Sequence, residues 1–312
     1  MMHLDKKNNW FWYKMITVLS GGTGTPKLLQ GIKEVVKPED LTIIVNTLEN
    51  NYFSGVYVAA DIDTVMYTMA DLINDEFWYG QKDDTFTTHE TLEKIGYHET
   101  LKIGDKDRAI KIQKTELMKK YSLQEAIKIQ KDALKIKSTI LPMSNEQSNV
   151  KIKTTDAIMD FHEFLIENQS KPEVIDVMYE PVTPASGVIE AIENSDQVII
   201  GPSNPITSIN PIIQMPGVIK ALKKVHTTAV SPFIGETVVS GPAAKFMKAL
   251  GFPVNPVGVA QIYKDFLNHY IINTSDDKYI NIIDENITKV SLDNIILKTI
   301  DDKINLAHKI LL

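Results

Sequence analysis

Residues 15–27, MITVLSGGTGTPK, constrain this chain more than any other stretch. A β-branched apolar run (Ile16, Thr17, Val18, Leu19) stops at Ser20. Three glycines follow within four positions (Gly21, Gly22, Gly24), and Thr25, Pro26 and Lys27 then open an apolar-periodic segment. Glycine at a strand-to-helix junction lets backbone N–H groups approach a phosphate without Cβ interference, and the helix N-terminus adds partial positive charge. Pro26 suits the first helical turn, where its missing N–H is not needed, and Lys27 supplies a mobile cation beside the loop. The spacing is not a Walker A loop and misses the dinucleotide fingerprint by one register. It predicts a strand–loop–helix that binds phosphate.

Composition narrows the class. A net charge of −7 argues against a general nucleic-acid or membrane-surface role. With no cysteine there is no disulfide, zinc–thiolate site or cysteine nucleophile, which suits a reducing cytoplasm. No apolar run approaches the ~20 residues of a membrane span. Residues 1–14 lack the apolar core of a signal peptide and read as a short extension, or as a start codon set upstream of Met15. The seven histidines are scattered without metal-ligand spacing, and there is no G-x-S-x-G elbow. Arg108 is the single arginine among 33 basic side chains. A lone arginine in a lysine-rich chain points to a task lysine cannot perform, a planar grip on phosphate or carboxylate or stacking on a ring. Its setting, GDKDR (104–108), reads as a polar turn rather than a helix face.

Downstream, 28–36 predicts a helix and 41–45 a second buried strand, closing a strand–helix–strand unit. Asn46, Thr47 and Glu49 follow at the strand's carboxyl end, where open α/β sheets bind ligands, and Glu49 is placed for a ribose hydroxyl. In the run from Asp61 to Ile73, Asp61 or Asp63 is placed to cap a helix. The spare aspartate is then available to magnesium or to a hydroxyl-bearing substrate. Residues 77–140 read as a largely helical insertion over the sheet edge, in which the aromatics of 77–79 either seal a seam or line a planar-ligand pocket. After Pro142 the α/β rhythm returns, with strands at 174–178, 197–200 and 227–230, helices at 185–193, 218–224 and 243–250, and a final strand around Val254, Val257 and Val259. The expected fold is α/β: a Rossmann-like, doubly wound, mainly parallel sheet with a core of 15–76 and 141–312. GPSNPITS (201–208) repeats the logic of the first loop with Ser203 and Asn204, and SGPAAK, with Ser240 and Gly241, adds a third anion-friendly junction. Together they predict a phosphorylated or nucleotide ligand.

SGGTGTPKLL, VNTLEN, the DIDTV helix start, DDTFTT, LKIGDKDRA, ILPMS, IIGPSNPITSI, AVSPFIG and VSGPAAK occur in this order, and the chain from Met15 to near Tyr270 resembles the 2-phospho-L-lactate transferase family. The gluconeogenesis-factor group, which binds nucleotide sugars, shares only the glycine loop and a variant of the DID start. It supplies the alternative of a non-catalytic regulatory binder. The resemblance implies an archaeal enzyme of deazaflavin coenzyme biosynthesis. It would pass 2-phospholactate from lactyl-2-diphospho-5'-guanosine, or an enolpyruvyl counterpart, to the terminal ribityl hydroxyl of the deazariboflavin Fo, releasing GMP with Mg2+ as cofactor. It further implies a cytoplasmic homodimer with small-molecule substrates. On the same basis Gly21, Gly22, Thr23, Gly24, Lys27, Asn46, Thr47, Glu49, Ser203, Asn204, Ser240 and Gly241 are expected at the donor and its phosphates. Asp63 and Arg108 are expected at the acceptor as catalytic groups, under the insertion. Asp61 is expected as magnesium ligand or cap, a role it could exchange with Asp63.

Overall fold

A computed structural model describes residues 3–4, 10–11, 14–238, 243–283, 287 and 289–311. Its centre is a seven-stranded sheet of β1 (Ile16–Ser20), β2 (Leu41–Val45), β3 (Thr139–Pro142), β4 (Gln197–Ile200), β5 (His226–Val230), β6 (His269–Asn273) and β7 (Lys289–Asp293). Every neighbouring pair is parallel, and the order is β3-β2-β1-β4-β5-β6-β7. The chain works outward from β1 to β3, then returns to the other side of β1 with β4. The crevice between β1 and β4 is therefore the switch point at which doubly wound sheets bind ligands.

These strands are apolar on both faces because both are covered. Leu19, Ile44 and Ile200 point into one core, while Val18, Ile43 and Ile199 point into the other. The second core is closed by α1 (Gly24–Val35), α2 (Ala60–Met69), α5 (Leu123–Ala133) and α9 (Ile300–Leu311). Gly31 lets α1 and α9 cross closely, since a Cβ there would meet the backbone carbonyl of Lys303.

Between the hairpin Asn51–Phe53/Val56–Val58 and β3, the stretch expected to be helical contains α3 (Thr87–Lys94), α4 (Asp105–Leu117) and α5. A capping box on Ser122 and Glu125 starts α5. The strand expected at 174–178 forms as Val174–Tyr179. It pairs with Val150–Thr154, whose other neighbour is Ile158–Asp160, in a separate antiparallel sheet. Short helices α6 (Val188–Glu193) and α7 (Ala243–Ala249) fall within their predicted spans. Within 1–14, His3–Leu4 pairs with Trp10–Phe11.

Three local expectations are corrected. The valines at 254–259 lie in or just before a helix, α8 (Pro256–Tyr263), because Asn255 accepts from the Val257 and Gly258 amides and Pro256 occupies the first turn. GDKDR is the start of α4, with Asp105 and Asp107 favourably placed in its first turn. Neither Asp61 nor Asp63 caps α2, whose N-cap is Ala59 with no side-chain bond, so both carboxylates are inside the first turn. Among the described residues no helix is long and apolar enough to cross a membrane.

Candidate active site

The loops after β1 and β4 meet at the switch point and are stitched by Ser203. Its Oγ accepts from the backbone N–H groups of Gly21 (3.3 Å) and Thr25 (3.2 Å) and shares a 2.7 Å hydrogen bond with the Thr25 hydroxyl. Close approach, not backbone conformation, explains the glycines. A Cβ on Gly21 would lie 2.5 Å from Ser208 Cβ; on Gly24 it would strike the Pro202 carbonyl, and on Gly201 the Thr25 side chain. At Gly22 it would strike Asp61 Oδ1, so this glycine brings the α2 carboxylate against the loop. Thr23, the N-cap of α1, makes no side-chain cap, which leaves the helix start to an anion.

A cleft of about 160 Å3 opens here, lined by Gly22, Thr23, Gly24, Glu49, Asp61, Ser203, Asn204, Thr207 and Ser208, with Phe161 and Leu165 as apolar wall. It is smaller than the ~300 Å3 at which whole small-molecule pockets begin, so it suits the phosphate portion of a larger ligand. Asn204 shapes one side by accepting from the Ile206 (3.0 Å) and Thr207 (3.3 Å) amides. Behind the cleft, buried Asn46 donates to Asp61 Oδ2 (3.0 Å) and to the Thr207 carbonyl (3.4 Å), tying β2, α2 and the second loop together. Among the described residues the buried Thr47 hydroxyl has no hydrogen-bond partner.

Two carboxylates share this cleft. Burial, then the charge of Asp61, pushes Glu49 well above the usual carboxylate range. Burial pushes Asp61 up to about 6 against the opposing hydrogen bond from Asn46. Such a pair favours a bound cation. Magnesium characteristically takes one or two protein carboxylates, with substrate phosphates and water completing its shell. Among the described residues no group of three or more His, Cys, Asp or Glu is arranged around a metal position.

Asp63 is placed elsewhere. Two positions along an α-helix rotate a side chain by about 200°, so Asp61 and Asp63 face opposite ways. Asp63 is 3% exposed and paired with Lys114 and, at 3.0 Å, with Lys111 of α4. Lys111 also pairs with Asp107, which accepts 2.7 Å from the Tyr67 hydroxyl. Burial would raise Asp63, but the two lysines outweigh it and hold the carboxyl below its ordinary range. Burial lowers Lys114, the deepest of the four.

Arg108 is also buried, at 7% exposure, and its Nη2 donates to both carboxylate oxygens of Glu99 at 2.9 and 2.8 Å. The His89 ring contacts the same carboxylate at 2.9 Å. Arg108 grips a carboxylate of this chain, within the insertion, and does not line the cleft. Lys27 points to Trp78, its Nζ 5.2 Å from the ring centroid, rather than into the cleft. Ser240 and Gly241 lie outside the described residues. Phe161 and Leu165 carried no sequence signal; they reach the cleft from the segment after the strand Ile158–Asp160, Leu165 in the helical turn Glu163–Glu167. Phe77 and Tyr79 seal no seam, being 59% and 57% exposed.

A parallel doubly wound sheet with interlocked glycine-bearing loops and an acidic pair at its switch point defines a Rossmann-like protein that handles a phosphorylated ligand. The family model for 2-phospho-L-lactate transferase CofD matches residues 16–307, and the chain belongs to that family. It is 54% identical over 297 residues to the 2-phospho-L-lactate transferase of Methanothermobacter thermautotrophicus, covering 95% of this chain and 97% of the relative. The enzymes of that name from Methanococcus maripaludis and Methanocaldococcus jannaschii are 50% and 47% identical, at the same coverage of both chains. The chain is therefore a transferase that moves phospholactate. A solved UPF0052-family structure from Bacillus halodurans aligns with a TM-score of 0.67 over 96% of this chain and 98% of its own, at 17% identity. That likeness bears on the fold alone, and agrees with the Rossmann-like architecture.

Proposed function

We propose that this transferase passes the 2-phospholactate group of lactyl-2-diphospho-5'-guanosine to the terminal ribityl hydroxyl of Fo, releasing GMP. The hydroxyl oxygen attacks the phosphorus that carries lactate. The bond from that phosphorus to the bridging oxygen breaks, GMP leaves with its electrons, and the hydroxyl proton is lost. Phosphoryl transfer rests on positioning and charge stabilisation more than on covalent help. The α1 N-terminus and the Gly22–Gly24 backbone receive the diphosphate, with Asn204 and Ser208 on the opposite wall. Asp61 Oδ1 faces Gly22 while Asn46 holds Oδ2, so Oδ1 is the oxygen turned toward the loop that receives the diphosphate. Phe161 and Leu165 offer the acceptor ring an apolar wall.

Glu49 and Asp61 would hold Mg2+, which when bound supplies positive charge against the developing charge on the phosphate oxygens. Asp63 keeps α2 in register with α4 instead of touching the acceptor, and Arg108 secures the insertion through Glu99. The same proposal includes a homodimer in the cytoplasm. The observation that carries this reading is the Glu49/Asp61 pair at the interlocked glycine loops. The relatives' shared name favours it over a regulatory nucleotide-sugar binder. The test is incubation with donor, Fo and Mg2+. The expected result is GMP release matching Fo consumption one to one, and GMP release without Fo consumption, or no release, would overturn it.

A further inference from the structure

Trp78 sits in an arrangement the transfer reaction does not use. Lys27 of α1 and Lys303 of α9 each place Nζ 5.2 Å from the centroid of its indole ring. Lys303 is only 6% exposed, and its ammonium donates 2.6 Å to the uncharged Gln30 side chain. Among the described residues neither lysine forms an ion pair; Asp75 and Asp302 act on Lys303 only from beyond salt-bridge distance. Buried charge without a counter-ion is unfavourable, and a ring face compensates it only in part.

The backbone holds this arrangement in place. Trp78 has φ +60°, a left-handed conformation uncommon for a bulky residue. Its N–H donates to the Asn74 carbonyl (2.8 Å), while the Asn74 N–H donates to Gly80 (3.1 Å), closing the loop around it. Asn74 Oδ1 further accepts from the Glu76 amide (3.1 Å). A strained residue fixed from both sides presents its ring in one orientation, as binding sites do.

We propose that Lys27, Lys303 and Trp78 form an anion site, distinct from the catalytic cleft, for a phosphate monoester. Two ammonium groups match the −1.5 to −2 charge that a phosphate monoester carries near neutral pH. Lysine is a point-charge partner that suits phosphate without demanding the planar geometry of arginine. Burial lowers both lysines from their ordinary range; at Lys303 the charge of Asp75 opposes this, Lys27 adds to it and Asp302 opposes it again.

The indole serves as reporter. Inorganic phosphate, titrated at constant ionic strength with chloride as balance, is expected to change tryptophan emission saturably. The change should vanish in Trp78→Phe, where Trp10 and Trp12 remain, and shift to at least tenfold higher phosphate in Lys303→Gln. Lys27→Gln, altering a half-buried residue, gives the same test if Lys303→Gln fails to fold. An emission change that does not saturate, that survives Trp78→Phe, or that is unaltered in the folded lysine variants would overturn the site. A wild type with no emission change is checked by phosphate-dependent melting temperature, and a rise that is absent, or that is the same in the wild type and the folded lysine variants, overturns it as well.

Discussion

Replacing Asp63 by Asn removes one of two carboxylates facing two buried lysines, leaving Lys111 and Lys114 to share Asp107. Breaking a buried pair by removing one partner costs about 3–5 kcal/mol, because the remaining charge is stranded. With ~2.1 cal/mol/K of unfolding entropy per residue, a chain of 312 residues loses ~1.5 °C of melting temperature per kcal/mol, or about 5–8 °C here. Wild-type Asp63 is held below its ordinary range, so its contribution is complete above about pH 4 and is lost as pH falls through the folded value. In Asp63→Asn the stranded group is a lysine. Unfolding then takes up protons, and the deficit narrows as pH rises toward the ordinary lysine value of about 10.4. Adding Lys114→Met leaves the single pair Lys111–Asp107, and is expected to recover most of the loss. Differential scanning calorimetry of the wild type, Asp63→Asn and the double variant between pH 6 and 10 tests this. An Asp63→Asn protein that melts with the wild type, or a double variant less stable than the single one, would refute the anchor role.

Asp61→Asn should act in the opposite sense. It removes a carboxylate whose burial is unfavourable, so melting temperature rises, by the equivalent of about 1–3 kcal/mol, while transfer falls at least a hundredfold; a melting scan beside a GMP-release assay checks both. Gly24→Ala places a methyl on the Pro202 carbonyl, forcing the loops apart; titration calorimetry should show donor affinity at least tenfold weaker. Arg108→Lys keeps the charge but loses the guanidinium hydrogen bonds to Glu99, so a loss of roughly 1.5–3 kcal/mol and a lower melting temperature are expected. His269, 6% exposed and bonded to Ser291, is lowered to about 4 by burial and then by Lys289 and His226. The unfolded state therefore binds its proton first, and stability should fall as pH drops from about 6.5 to 4, by no more than ~3 kcal/mol after solvent screening. His269→Gln should flatten that part of the melting profile.

The elements legible in advance were those whose residues answer to local rules. β1, the glycine loop and α1 are set by a buried apolar run, close-contact glycines and an N-terminal proline, and β2 and β4 by the same patterning. The acidic residues were harder to place. Asp61 and Asp63 look equivalent as letters, and their division between cleft and anchor depends on where α2 begins and on lysines some fifty residues away. Arg108 was conspicuous as the single arginine, but its partner Glu99 lies in a loop without a pattern of its own. The valines of 254–259 suggested a strand because their β propensity is stronger than the cue from Asn255 and Pro256, which the structure shows to prevail. Phe161 and Leu165 meet loops at residues 22–24 and 203–208 that are distant in sequence, a proximity which no local pattern encodes.

Anomalous diffraction from crystals grown with Mn2+ and the guanosine donor shows whether the interlocked loops and the Glu49/Asp61 pair hold the donor's phosphates and their metal. A manganese peak bonded to Glu49 and Asp61 is expected, with diphosphate oxygens on the Gly22–Gly24 amides. Manganese or diphosphate bound instead at Asp63 and Arg108, with Glu49 and Asp61 unliganded, would contradict that placement.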